Sequence, residues 1–325
     1  MTDRREYRQG RFVYLLDDND HTAWILSGHI GRCKTYRVPA YADIEGARYT
    51  ITRLDYPGFN DAKTLRHLVI SDTIEYIDEH AFSIFRLRSI HIGAGLKTMD
   101  AWTFINCPKV SLTISPENLH MKIQDGFLMT KDGRELLMKL RYMRSCRIPD
   151  GVEKIRMHAC CYSSEIEKIT FPSSLREIPD NSFSNLPKLK RLIIPNGLEK
   201  LTIQCFMNNE SLEYVDLPAT VQLMGGDVFM SCHNLKKLII RSSELVKQHI
   251  SYFEPEQYSN CRLYVPPEIL MEYRKDSFWG RFMYILPILD GGRIEGEIPD
   301  VSDYVSSVSF ANREFVMSHG ITHHK

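Results

Sequence analysis

The stretch NSFSNLPKLKRLII, residues 181–194, decides the fold, because the chain writes it again. QCFMNNESLEYVDL follows at 204–217 and DVFMSCHNLKKLII at 227–240, each starting 23 residues after the copy before. Self-similarity at a period of 20–50 residues marks a protein built by stacking one unit. Working outward from the phenylalanine, one column contains Phe59, Phe82, Phe104, Cys160, Phe183, Phe206 and Phe229. The steps are 23, 22, 56, 23, 23 and 23, so a single interruption separates two runs of units.

Three further columns keep the same phase. Leu54, Ile77, Met99, Ile155, Ile178, Leu201 and Met224 each stand five residues before the phenylalanine column. After it comes an LxxLxI pattern: Leu65-Leu68-Ile70, Leu87-Ile90-Ile92, Ile166-Ile169-Phe171, Leu189-Leu192-Ile194, Leu212-Val215-Leu217 and Leu235-Leu238-Ile240. Its last two apolar positions alternate with a free one, the period of a strand with one buried face. Pro149, Pro172, Pro195 and Pro218 close the strands, since proline has no N–H for a ladder. Each unit reads as strand, proline turn, short extended piece and a tight turn bearing the phenylalanine, too short for a stable α-helix. No unit buries its apolar columns alone; stacking gives one continuous core. The expectation is a repeat solenoid, mainly β with short 3₁₀ or helical turns.

Composition narrows the function. At 43% hydrophobic and 25% charged residues the chain has the profile of a soluble folded protein. Lys+Arg and Asp+Glu are equal at 41, so no global field favours nucleic acid or an anionic membrane as partner. No apolar run reaches the ~18–20 residues of a membrane span. The start, MTDRREYRQGRF, is charged and does not read as an export signal. Eight cysteines without a CxxC pair are too few for a disulfide framework, and several stand at core columns. Together these point to a reducing, cytoplasmic setting.

The period of 22–23 with LxxLxI, the proline after the last strand residue, and the segments DEHAFSIF, DAWTFINC and GDVFMSC resemble the BspA-like leucine-rich repeat family over about residues 11–289. RFVYLLDDNDHTAWILSG and YRVPAYADIEGARYTITRL are similar to that family's β-rich N-terminal cap. CRLYVPPEILMEYRKDSFWGRFMYILPIL resembles its closing unit, with a last strand, a short helix near 267–275 and a Trp-bearing segment. MKIQDGFLMTKDGRELLMKL, residues 121–140, reads as an inserted hairpin turning at Lys131-Asp132-Gly133. The implied organisation is 1–53 tail and cap, 54–262 repeats interrupted by the hairpin, 263–289 C-terminal cap, and a poorly ordered tail at 290–325. The resemblance also implies an alternative setting, the cell surface, since the family is common among surface antigens of gut and oral anaerobes.

Motifs for catalysis are missing: there is no GxSxG, P-loop, HExxH or GxGxxG. His158-Ala159-Cys160-Cys161 has metal-type side chains, but Cys160 is a core column and no second pair at zinc spacing follows. His319, His323 and His324 read as a polar tail. Gly225-Gly226 reads as a bulge rather than a phosphate cradle. No cofactor, metal or catalytic residue is expected. The free positions on the strands are instead the candidate surface: His67, His91, Lys168, Thr170, Arg191, Ile193, Tyr214, Asp216, Lys237 and Ile239. Mixed basic, aromatic and exposed apolar groups suit a protein partner. A non-enzymatic scaffold binding another protein is the leading expectation. A surface adhesin comes second, and a carbohydrate-binding module, for which the face shows only Tyr214 as a platform, third.

Overall fold

The computed structural model describes residues 4–55, 64–78, 87–99, 110–249 and 253–289. The chain divides into two compact units, Met1–Arg141 and Tyr142–Lys325.

The first unit opens as a β-sheet cap. Strands Arg4–Gln9, Phe12–Asp17 and Thr22–Gly28 form an antiparallel meander. Thr22–Gly28 then pairs in parallel with Ala47–Leu54, and that strand pairs in parallel with Tyr76–Ile77. The antiparallel cap thereby hands over to parallel repeat strands, giving the first unit of the stack a partner. The LxxLxI strands His67–Val69, Ser89–Ile92 and Ser111–Ile114 form one parallel ladder. A fourth strand, Thr35–Arg37, pairs with His67–Val69 and starts this ladder one step before the sequence columns do. The segment after it is a three-stranded antiparallel meander, Met121–Gln124, Phe127–Thr130 and Glu135–Lys139, one strand more than a hairpin. The additional turn is Asp125-Gly126, both in left-handed backbone with φ of 52° and 88°, the pairing that tight hairpins require.

The second unit is the regular stack. On one side Arg191–Ile193, Tyr214–Leu217, Lys237–Ile240, Arg262–Val265 and Tyr284–Pro287 form a five-stranded sheet, paired in parallel throughout. On another, Glu177–Ile178, Lys200–Leu201, Leu223–Met224 and Lys247–Gln248 form a second parallel sheet. Between them run the phenylalanine turns. Ring stacks at 5.7 Å and 6.0 Å join Phe183 to Phe206 and Phe206 to Phe229. Phe253 extends the column at 6.5 Å. The members of this column within the described residues, Cys160 included, are buried, as is every LxxLxI residue. Phe59, Phe82 and Phe104 lie outside the described residues.

The turns have a chemistry of their own. His158, Asn181, Gln204 and Asp227 adopt left-handed backbone, and so do Tyr162, Asn185, Asn208 and Ser231, four residues further on in each unit. This explains the run of Asn and Asp at these positions, which tolerate that conformation best among non-glycines. Gly225 is required for a different reason: a Cβ there would stand 2.7 Å from the carbonyl carbon of Thr202 in the unit below. Buried Asn209 ties two units together, accepting from the Leu186 N–H at 2.7 Å and donating to the Phe183 carbonyl at 3.1 Å.

The C-terminal end is closed by helices Pro255–Asn260 and Leu270–Lys275 and by a short 3₁₀ turn, Trp279–Arg281. Fully buried Trp279 lies over Phe253, Tyr273, Phe278 and Phe282 and donates its indole N–H to the Val246 carbonyl at 3.0 Å. In place of a next repeat, this aromatic cap covers the last one.

Seven cysteines are described, all unbridged; Cys146, Cys160, Cys205, Cys232 and Cys261 are buried. Cys107 lies outside the described residues. Burial pushes the thiols of Cys161 and Cys232 from the usual 9.0 up to about 12. Between pH 9 and 12 the unfolded chain therefore releases protons that the fold retains. Stability from these thiols is intact below pH 9 and falls as pH rises, by up to about 1.4 kcal/mol per pH unit per thiol. Denaturant titrations at pH 8 and 10.5 should show this loss, and it should shrink in Cys232→Ala relative to its own value at pH 8.

Candidate functional site

Strand alternation makes the site. With Ile169, Leu192, Val215, Leu238 and Leu263 turned into the core, the residues flanking each of them turn outward. The registers align these outward residues in two rows. Arg191, Tyr214, Lys237, Arg262 and Tyr284 form one row, and Ile193, Asp216, Ile239, Tyr264 and Leu286 the other.

The face is interrupted at its start. Lys168–Thr170 pairs with Ser145–Arg147 in a separate two-stranded sheet, and the five-stranded sheet begins at Arg191–Ile193. The interruption coincides with Phe171, which fills a position held by Ile or Leu in the other units and packs edge-on against Phe183 at 5.2 Å. Here lies an open groove of about 640 Å³ lined by Lys168, Phe171, Lys190, Arg191 and Ile193, among others. Ile193 is 56% exposed. Lys168, Lys190 and Lys237 make no ion pair among the described residues.

Beside the groove the polar side chains are tied together. The Arg191 guanidinium sits 4.0 Å above the Tyr214 ring, and the Tyr214 hydroxyl donates to Asp216 Oδ2 at 3.3 Å. Asp216 in turn accepts both Nε and Nη2 of Arg241, at 2.7 Å and 2.9 Å. Two-point charge-assisted bonding of this kind fixes both side chains. Burial foremost, then the neighbouring Asp216 carboxylate, pushes the Tyr214 hydroxyl above its ordinary pKa. The network holds a rigid wall; Tyr214, covered by Arg191, is no open aromatic platform.

The sequence expectations separate accordingly. Lys168, Thr170, Arg191, Ile193, Tyr214 and Lys237 stand on one outward face of the second unit. Asp216 is there too, but almost buried and engaged by Arg241. Ile239 needs correction as a contact residue: it is 0% exposed, packed with Tyr264 and Leu286 in a small cluster outside the main core. Alternation places it outward, and large neighbours in register enclose it. His67 and His91 belong to the first unit's ladder, where their Nδ1 atoms pair with Ser89 Oγ at 2.8 Å and Thr113 Oγ1 at 3.0 Å. Lys190 and Arg241 were missed, lying one residue outside the strand positions read from the pattern. Arg262 and Tyr264 were missed because the ladder continues past residue 240; LxV at 263–265 is its faint signal.

The His158–Cys161 segment forms no metal centre among the described residues. His158 is a left-handed turn residue and Cys160 is in the core. Among the described residues no three His, Cys, Asp or Glu side chains group to hold a metal ion. His319, His323 and His324 lie outside the described residues. No helix among those residues is long and apolar enough to cross a membrane.

A solenoid of LxxLxI strands with this outward face defines a leucine-rich repeat protein. A family model described as a BspA type leucine rich repeat region matches residues 48–131 and 133–263 in six copies. The chain belongs to this family. Among solved structures it is similar to a leucine-rich repeat protein from Bacteroides ovatus, at 17% identity and a TM-score of 0.53, with 87% of this chain and 67% of that one covered. It is also similar to one from Eubacterium ventriosum, at 16% identity and a TM-score of 0.51, with 81% and 84% covered. At these identities the likeness shows the fold alone. No curated protein matches the chain in sequence.

Proposed function

We propose that the protein is a non-enzymatic recognition scaffold that binds another protein through the outward strand face of its second unit. The observation carrying this reading is the groove at Lys168 and Arg191. It combines exposed Ile193, cations at Lys168 and Lys190 that make no ion pair among the described residues, and a rigid Arg191–Tyr214–Asp216–Arg241 wall. Apolar area beside arginine and aromatic anchors is what protein interfaces favour. The buried thiols support a reducing, cytoplasmic compartment.

The test replaces Lys168, Lys190 and Lys237 by Glu in one variant whose thermal midpoint is first shown to match wild type. A protein retained by wild type from native lysate, then purified, should bind the variant at least about tenfold more weakly. Equal binding to both removes the strand face from the reading. Digestion of the protein by external protease on intact cells would favour the surface-antigen alternative.

A further inference from the structure

The far end of the strand face is apolar. Ile239, Tyr264 and Leu286 form a cluster on the outward side of the five-stranded sheet, and Tyr214 and Ile288 pack against it. Tyr264 is only 5% exposed, and among the described residues its hydroxyl and the buried Nε of Arg262 on the neighbouring row have no hydrogen-bond partner. Both atoms are enclosed by their neighbours, so this end of the face offers a ligand apolar contact rather than hydrogen bonds. The same face carries Lys168, Lys190 and Lys237, none of them ion-paired among the described residues, so the ligand it suits is anionic, with apolar side chains for the far end.

The chain continues into a segment of that chemistry. Ile288 is packed on the outward cluster, so the polypeptide leaves the last strand on the strand-face side. Residues 290–303, outside the described residues, read DGGRIEGEIPDVSD: five carboxylates against one arginine, with Ile294, Ile298 and Val301 interleaved. Asp290-Gly291-Gly292 is turn chemistry directly after the exit, suited to reversing the chain over the face. Five strand steps separate Tyr284–Pro287 from Lys168–Thr170, or roughly 24 Å at about 4.8 Å each. About eight extended residues span that distance, and residues 293–303 exceed it.

We propose that the acidic segment 290–303 docks back onto the basic strand face of its own chain, across Arg262 and Lys237 toward Lys168. This rests on the strand face being a polypeptide-binding surface, and it names an internal occupant that a partner protein must displace.

Amide hydrogen exchange on the full chain, read by mass spectrometry at low salt, tests it. Residues 293–303 should exchange about tenfold more slowly than the same sequence as a free peptide, independently of protein concentration. Replacing Glu295, Glu297, Asp300 and Asp303 by Lys should abolish the protection. Adding Lys168→Glu and Lys237→Glu to that variant should restore it, a rescue that general misfolding cannot produce. Free-peptide exchange in wild type, protection untouched by the tail reversal, or protection that grows with protein concentration (docking on a second copy) would each overturn the proposal. If the segment is unprotected while Lys168, Lys190 and Lys237 still govern capture of a purified partner, the docking fails and the scaffold reading stands.

Discussion

Phe206→Ala is expected to lower the unfolding free energy by about 3–5 kcal/mol, the cost of a cavity left by a fully buried phenylalanine. The ring is wholly enclosed and stacked between Phe183 and Phe229. In a repeat protein stability is close to a sum of unit and neighbour-interface contributions. Removing this ring weakens two interfaces at once, so hydrogen exchange should speed up in the flanking strands Arg191–Ile193, Tyr214–Leu217 and Lys237–Ile240 and little in the first unit. Chemical denaturation gives the magnitude. An unchanged midpoint would remove Phe206 from the stack.

Asn209→Leu is expected to cost about 2–5 kcal/mol, although it keeps the side chain's size and adds apolar surface. The loss comes from two buried backbone groups, the Leu186 N–H and the Phe183 carbonyl, which bond only to the Asn209 amide in this arrangement. Leaving each unpaired costs about 1–3 kcal/mol, and the added apolar contact offsets only part of this. Asn209→Asp separates the two bonds: protonated, it can still accept from Leu186 and donate to Phe183 and should stay near wild type, whereas ionised it is a buried, unpaired carboxylate against the Phe183 carbonyl and should cost at least as much as leucine, so stability should fall as pH rises. Asn209→Leu at wild-type stability would show that water or backbone relaxation satisfies both groups.

These two residues differ in how readable they were. Phe206 stands in a column of period 23 and declares its burial by repetition. Asn209 sits in a variable position of the turn, where Cys232 and Gln257 meet neighbouring carbonyls in later units by other routes: Cys232 Sγ lies 3.3 Å from the Phe206 carbonyl, and Gln257 Nε2 bonds those of Phe229 and Cys232. A job shared by different residue types leaves no column. Much the same holds for the strand face. Alternation put Lys168, Arg191, Ile193, Tyr214 and Lys237 outward on the strength of the core positions between them. The enclosure of Ile239 depended on Tyr264 and Leu286, which come 25 and 47 residues later and are joined to it only by strand register.

Period, strand phase and the position of each proline were thus decided in the chain itself, because every unit faces the same packing problem and solves it with the same side chains. The groove at Lys168 and Arg191, the Tyr214–Asp216–Arg241 network and the enclosure of Ile239 by Tyr264 and Leu286 were decided only by stacking. Each arises from side chains of different units brought within a few ångströms by the parallel ladder, and no local pattern records which outward residues will become neighbours.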